Sequence, residues 1–233
     1  MLSSIRRARA VLALGGPGFA ELPAVRRIDA ELRSLCRGLS SLRDADALRD
    51  ALLHLADESV LGPIECERLC AFVAVLRNRR LAAALGRDPD FARRRDRLQI
   101  AQSKVAALPW PTVEETAVRM AFAAARARLD KALKRARSGD DPEDWHRLRR
   151  RLRRLRQQES ALARCAPQLG LAVEGIGELA ERMGSAQDHA LLLAHCQRSG
   201  VFPARDRANL RRLVQPLYDA ARAHAAEALS RKD

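Results

Sequence analysis

The chain has 233 residues, and 43 Lys and Arg against 29 Asp and Glu give it a formal net charge of +14 at pH 7. An apolar share of 47% excludes a generally disordered chain, and the length allows one large domain or two smaller ones that each bury a core. The charge indicates an anionic partner. Because Arg supplies most of the positive charge, phosphate is favoured over a generic anion.

Helical periodicity runs along nearly the whole chain, while β-branched and aromatic residues are too sparse for a sheet. The pattern predicts an all-α fold of about eight or nine helices with short loops. Helix-breaking residues divide the chain at 15–18, 61–63, 86–89, 109–111, 138–142, 167–170, near Gly184 and at 200–203. No run of about 18 apolar residues predicts a membrane span, and residues 1–14 make a poor signal peptide, so we expect a cytoplasmic protein.

A first basic row lies on the helix predicted to begin near Pro23. The apolar residues Ile28, Leu32, Leu35 and Leu39 recur there at helical spacing and predict its buried stripe. The basic row consists of Arg26, Arg27, Arg33 and Arg37, followed by Arg43. If the two halves of the protein pack face to face, this row joins a second basic row around one cavity.

The second basic row lies in residues 141–162, where every residue from Arg147 to Arg156 is Arg or Leu. Asp141 is predicted to cap the helix, with Pro142 at its first position. One side of the helix carries an apolar stripe of Leu148, Leu152, Leu155 and Leu162. The other side carries His146, Arg149, Arg150, Arg153 and Arg156, with Arg154 at its edge. Like charges at these spacings repel unless an anion offsets them, which favours a polyanion site over a merely solvated face.

Residue patterns for metal binding or catalysis are missing. The five cysteines show no metal-type pairing, because Cys66 and Cys70 have no nearby His or further Cys to complete a tetrahedral site. The sequence also lacks a P-loop, a paired-carboxylate metal site and a Ser-His-Asp constellation. We therefore expect a binding protein that is not an enzyme and has no metal or cofactor.

A weak internal repeat relates the two ends of the chain. The segment Ile5–Arg9 resembles Leu152–Arg156, and Leu42–Leu48 resembles Ala186–Leu192 at a nearly equal offset. The repeat predicts two halves, residues 1–110 and 111–233, as helical bundles related by pseudo-twofold symmetry. Within the second pair, Asp44 and Asp188 are interpreted as helix caps or as acids that orient Arg side chains.

Residues 146–156 and 183–192 resemble the second half of a CHAD domain, the conserved histidine α-helical domain, and residues 42–48 are similar to the signature of its first half. The resemblance covers nearly the whole chain. It implies two four-helix bundles around a basic central cavity that binds inorganic polyphosphate, and an association with polyphosphate granules.

The resemblance also assigns residues to that site. His146 matches the histidine of the family, and Arg149, Arg150, Arg153 and Arg156 match the basic positions after it, while Arg6, Arg7 and Arg9 match the equivalent helix of the first half. The first-half counterpart of His146 would fall just before Met1, so we expect a first signature helix that is truncated or whose start has been assigned too late.

Three other functions compete with polyphosphate binding, and one of them, an enzyme of phosphate metabolism, lacks the expected motifs as stated above. Nucleic acid could bind the same Arg faces, although single strands normally also need aromatic stacking platforms, and the aromatic residues here are few and scattered. An adaptor that brings partner proteins to polyphosphate is the other possibility. The sequence does not decide the oligomeric state, and no membrane partner is expected.

Overall fold

The computed structural model describes residues 2–139, 141–197 and 199–230, and its regular elements in this part of the chain are all helical, with no strand. The predicted all-α fold is therefore confirmed. The helices are α1 (Leu2–Leu12), α2 (Gly16–Glu21), α3 (Pro23–Asp57), α4 (Pro63–Arg87), α5 (Ala92–Ala106), α6 (Glu115–Ser138), α7 (Pro142–Cys165), α8 (Ile176–His195) and α9 (Ala204–Ser230).

Most helix boundaries fall where Gly and Pro predict them. Gly16 starts α2 at a φ of +82°, a conformation that Gly adopts without steric cost. Pro23 and Pro63 are the first residues of α3 and α4, where the missing N–H would have no partner in the helix anyway. Part of the predicted break at 138–142 lies at Asp140, outside the described residues.

The predicted break near Gly184 is wrong, because this glycine lies inside α8. One Gly costs a helix about 1 kcal/mol relative to Ala, and burial of the neighbouring Met183 and Ala186 offsets that cost. Asp44 and Asp188 also lie well inside α3 and α8, so their interpretation as helix caps is wrong.

The start and the buried stripe of α7 are as predicted. The Asp141 carboxylate accepts a hydrogen bond of 2.9 Å from the backbone N–H of Glu143, which satisfies one unpaired donor of the first turn. Leu148, Leu152, Leu155 and Leu162 are buried. The helix therefore buries its leucines and leaves its arginines partly or fully exposed.

Two compact units are present in the chain. The first comprises residues 1–38 and 93–180, and the second comprises residues 39–92 and 181–233. A core cluster of the first unit includes Ile5, Leu12, Val25, Ile28, Leu32 and Leu35. A core cluster of the second includes Leu48, Leu52, Leu55, Leu69, Leu192 and Val214. The division into halves at residue 110 and their pseudo-twofold relation stay predictions.

None of the helices in the described part of the chain is both long and apolar enough to cross a membrane.

Candidate anion-binding site

The site of interest lies in the first unit, where α1 packs against α7. Gln158 of α7 is buried, and its side-chain Nε2 donates a hydrogen bond of 3.1 Å to the carbonyl oxygen of Ala10 in α1. A hydrogen bond in such surroundings is expensive to break, because each partner would stay buried without water. This bond fixes α1 beside one arginine-rich flank of α7.

A cleft of about 560 Å³ opens between α1, α3 and α7, and we call it the arginine cleft. It is lined by Ala10, Gln157 and eight arginines: Arg6, Arg9, Arg33, Arg147, Arg150, Arg151, Arg153 and Arg154. Guanidinium groups stay charged at neutral pH and present several N–H donors in a fixed plane. The cleft therefore offers dense positive charge and donors for an anion with many oxygens.

Carboxylates at the start of α7 pair with two of these arginines. Glu143 accepts a hydrogen bond of 2.8 Å from Arg150, and Asp144 accepts one of 2.5 Å from Arg147. The Glu143 and Arg150 side chains are both more than half exposed, so their ion pair is weak and open to competition from a ligand.

The carboxylate of Asp29 in α3 forms ion pairs with two arginines. Its carboxylate accepts from Arg9 Nε at 2.7 Å and Nη2 at 3.3 Å, and from Arg33 Nη2 at 2.8 Å. Burial raises the pKa of Asp29, but the hydrogen bonds and charges of Arg9 and Arg33 outweigh burial and lower the pKa below its ordinary value of 3.8. Asp29 is therefore ionised at neutral pH.

Arg154 lies deeper than its neighbours on α7. Burial lowers the pKa of its guanidinium, and the charges of Arg9, Arg151 and Arg128 lower it further, while Asp29 raises it. Among the described residues Arg154 makes no hydrogen bond or ion pair. An anion in the cleft would supply the counter-charge that this half-buried cation lacks.

A second cavity of about 380 Å³ adjoins the arginine cleft. Arg9, Arg33 and Arg154 line both, and the smaller cavity adds Arg26, Asp29 and apolar residues that include Leu12 and Val25. Asp29 lines the smaller cavity, where it pairs with Arg9 and Arg33.

Five of the predicted site residues line the arginine cleft together: Arg6, Arg9, Arg33, Arg150 and Arg153. Arg26 lines the smaller cavity instead. His146 is exposed and lies one helical turn before Arg150. These positions bring part of the first basic row and part of the second into one place.

The other predicted residues lie elsewhere. Arg149 and Arg156 follow a different flank of α7 from the cleft residues, given about 100° per residue. Arg27 donates to the carbonyl oxygen of Pro23 and lines a separate, largely apolar groove. Arg7 and Arg37 are exposed residues of the first unit, and Arg43 belongs to the second unit.

Three cleft arginines, Arg147, Arg151 and Arg154, were not placed among the candidate residues by sequence reasoning, which put Arg154 at the edge of the basic face. The face chosen from the sequence was the one opposite the leucines, whereas the cleft opens beside α1, nearer the flank that carries Gln158. A polar Gln within the buried side of a helix signals a neighbouring backbone, but it does not identify that neighbour.

The described residues contain no group of three or more His, Cys, Asp or Glu side chains that could hold a metal ion. Cys66 donates its thiol hydrogen to the carbonyl oxygen of Leu52 at 3.5 Å. Burial raises the pKa of the neighbouring Cys70 thiol to about 11, with further contributions from Cys66. A thiol with such a pKa is protonated at neutral pH.

Fold and site together define an all-helical protein with a concentrated cationic cleft. The family model described as CHAD domain matches residues 1–197, so the chain belongs to the CHAD domain family. The match ends before α9 begins. No curated protein and no solved structure matches the chain at a significant level.

Proposed function

We propose that the protein binds inorganic polyphosphate in the arginine cleft. The observation that carries the proposal is the convergence of eight arginines from three helices on one cleft. One carboxylate, Asp29, pairs with both Arg9 and Arg33, so these two positive charges share a single negative one. Membership of a family associated with polyphosphate supports this choice of anion.

Binding rests on electrostatic capture. A flexible polyphosphate chain carries roughly one charge per phosphate, and Arg forks contact its oxygens by bidentate, charge-assisted hydrogen bonds. His146, exposed near the start of α7 and one helical turn before Arg150, donates one further hydrogen bond.

The proposed role is binding without catalysis, in the cytoplasm and at polyphosphate granules. The acids beside the cleft, Asp29, Glu143 and Asp144, each pair with arginines in the structure. Paired carboxylates of this kind organise a cationic surface. Release of orthophosphate from polyphosphate in the presence of Mg²⁺ or Mn²⁺ would contradict the absence of catalysis.

Nucleic acid is the rival ligand, and the aromatic side chains argue against it. Trp110 packs with its ring centroid 5.0 Å from that of Phe19, and Trp145 is buried. Tyr218 lies beneath the Arg222 guanidinium, 5.6 Å from it, in the second unit. None of these three rings lines the arginine cleft, so stacking with bases adds nothing there to phosphate contacts.

The first test is a calorimetric titration of the protein with long-chain polyphosphate and, at the same salt concentration, with single-stranded DNA. We expect tighter binding of polyphosphate. Equal or tighter binding of DNA would contradict the proposal and favour the nucleic-acid function.

A pair of charge-matched triple variants then tests the position of the site. The cleft variant changes Arg150, Arg151 and Arg153 to Gln. The control variant makes the same change at three exposed residues of the second unit, Arg87, Arg205 and Arg212. We expect the cleft variant to weaken polyphosphate binding at least about tenfold relative to the control, because it loses charge-assisted hydrogen bonds. Equal weakening in both variants would mean that binding reflects net charge and not this cleft.

A further inference from the structure

We propose that Asp29 is a positioning residue of the phosphate site: it holds Arg9 and Arg33 side by side so that their remaining N–H groups face the arginine cleft. The inference rests on the proposed polyphosphate function and adds the residue that prepares the free protein for its ligand. It also implies that an acid improves the binding of a polyanion, the opposite of what its charge alone would do.

The hydrogen-bond geometry shows which guanidinium edges are used. Asp29 takes Nε and Nη2 of Arg9, and it takes Nη2 of Arg33. Nη1 of Arg9 and both Nε and Nη1 of Arg33 make no hydrogen bond to Asp29. Because a guanidinium is planar, fixing one edge also fixes the direction of the other donors.

The placement of Asp29 supports positioning and not competition with the ligand. Arg9 and Arg33 line both the arginine cleft and the smaller cavity, whereas Asp29 lines the smaller cavity. The carboxylate therefore meets the two arginines in the smaller cavity. A phosphate group in the cleft can contact these arginines while Asp29 keeps its hydrogen bonds.

The charges around Asp29 explain why a carboxylate is needed there. Arg9 of α1, Arg26 and Arg33 of α3 and Arg154 of α7 line the same cavity as Asp29. The positive charges of Arg9 and Arg154 repel each other, and Arg9 therefore lowers the pKa of Arg154. The negative charge of Asp29 raises that pKa. Without the carboxylate these cations would repel and their side chains would turn toward solvent. When Asp29 orders these side chains before binding, the loss of their conformational entropy no longer reduces the affinity for the ligand.

The test compares Asp29→Asn with Asp50→Asn by calorimetric titration with long-chain polyphosphate. Asp50 is exposed in the second unit and pairs with Arg49, so both variants gain the same net charge. We expect Asp29→Asn to bind about five- to tenfold more weakly than Asp50→Asn, in line with the loss of a residue that orients ligating groups. Binding as tight as that of Asp50→Asn, or tighter, would overturn the proposal.

A double-mutant cycle separates positioning from a general effect on folding. In an Arg9→Gln background, Asp29→Asn should cause less additional loss of affinity, because one of the two guanidinium groups that Asp29 orients is already gone. An equal loss in both backgrounds would contradict the proposal. Failure of the wild-type protein to bind polyphosphate would instead refute the proposed function itself.

A spectroscopic measurement on the wild-type protein avoids any variant of Asp29. The Arg9 Nε–H signal, assigned by its loss in Arg9→Lys, should exchange slowly with water in the free protein and stay protected after polyphosphate is added. Loss of protection on binding would show that the ligand displaces Asp29 and would overturn its positioning role.

Discussion

Arginines of the two compact units differ in how their charge is balanced. In the second unit Arg68, Arg77 and Arg49 each pair with an Asp, at 2.5, 2.6 and 3.0 Å. In the first unit the cleft arginines Arg147 and Arg150 also have one carboxylate each. Arg9 and Arg33, however, share one carboxylate, and Arg154 has no ion pair among the described residues. Counter-charge is therefore scarcer for these three arginines, and this difference supports the proposed anion site.

The largest expected effect is on the free energy of unfolding, and it tests whether the two units are stabilised equally by a buried leucine. Leu152→Ala in α7 and Leu52→Ala in α3 each remove a side chain that is at most 1% exposed. Each should lower the free energy of unfolding by about 2 to 5 kcal/mol, because burial is lost and a cavity remains. Urea denaturation measures the change. Arg164→Ala, at an exposed position, should change stability by less than about 0.5 kcal/mol.

A Leu152→Ala variant as stable as the wild-type protein would contradict this expectation. It would mean that α7 does not bury the leucine stripe, and the arginines would then lie on another face of the helix than the one described.

The second expected effect is on the salt dependence of polyphosphate binding. The logarithm of polyphosphate affinity should fall linearly with the logarithm of salt concentration, because binding releases condensed cations. Gln at Arg150, Arg151 and Arg153 should reduce that slope by about 2, by analogy with single-stranded nucleic acids. Titrations at three or more salt concentrations measure the slope. The triple variant in the second unit, at Arg87, Arg205 and Arg212, should leave it unchanged.

The smallest expected effect concerns a buried histidine of the second unit. Burial lowers the pKa of His189 below 6.5, while the charges of Glu58 and Asp188 oppose that shift. The folded state therefore binds the proton less readily than the unfolded state, so stability falls as pH drops below about 6.5. The urea midpoint of the wild-type protein should fall between pH 7.5 and pH 5 by more than that of His189→Gln. An equal fall in both proteins would show that other groups cause it.

Local patterns predicted the helices well where the chemistry is local. Pro23, Pro63 and Asp141 start helices as expected, and the leucines of α7 are buried. The pattern failed at Gly184, because the helix-breaking tendency of one Gly is weaker than the packing of the residues beside it. The family resemblance stated from the sequence is confirmed by the family match.

The sequence predicted an arginine-rich site, but it did not predict which arginines form that site. The arginine run of α7 identified the helix, yet Arg149 and Arg156 lie on a different flank from the cleft, which Arg151 and Arg154 line. An acid that orients arginines was also expected, at Asp44 or Asp188. At these two positions that role stays a prediction. The structure shows such an arrangement at Asp29, which pairs with an arginine twenty residues earlier in the chain.

Three features follow from local sequence patterns: the all-helical class, the buried face of α7 and the surplus of arginine. Propensity, periodicity and charge depend on residues close together in the chain. Which arginines meet depends on tertiary packing. Packing of α1 against α7, with the Gln158 hydrogen bond between them, selects one flank of a helix that carries arginine on several sides. That choice depends on contacts between residues nearly 150 positions apart, which no local pattern encodes.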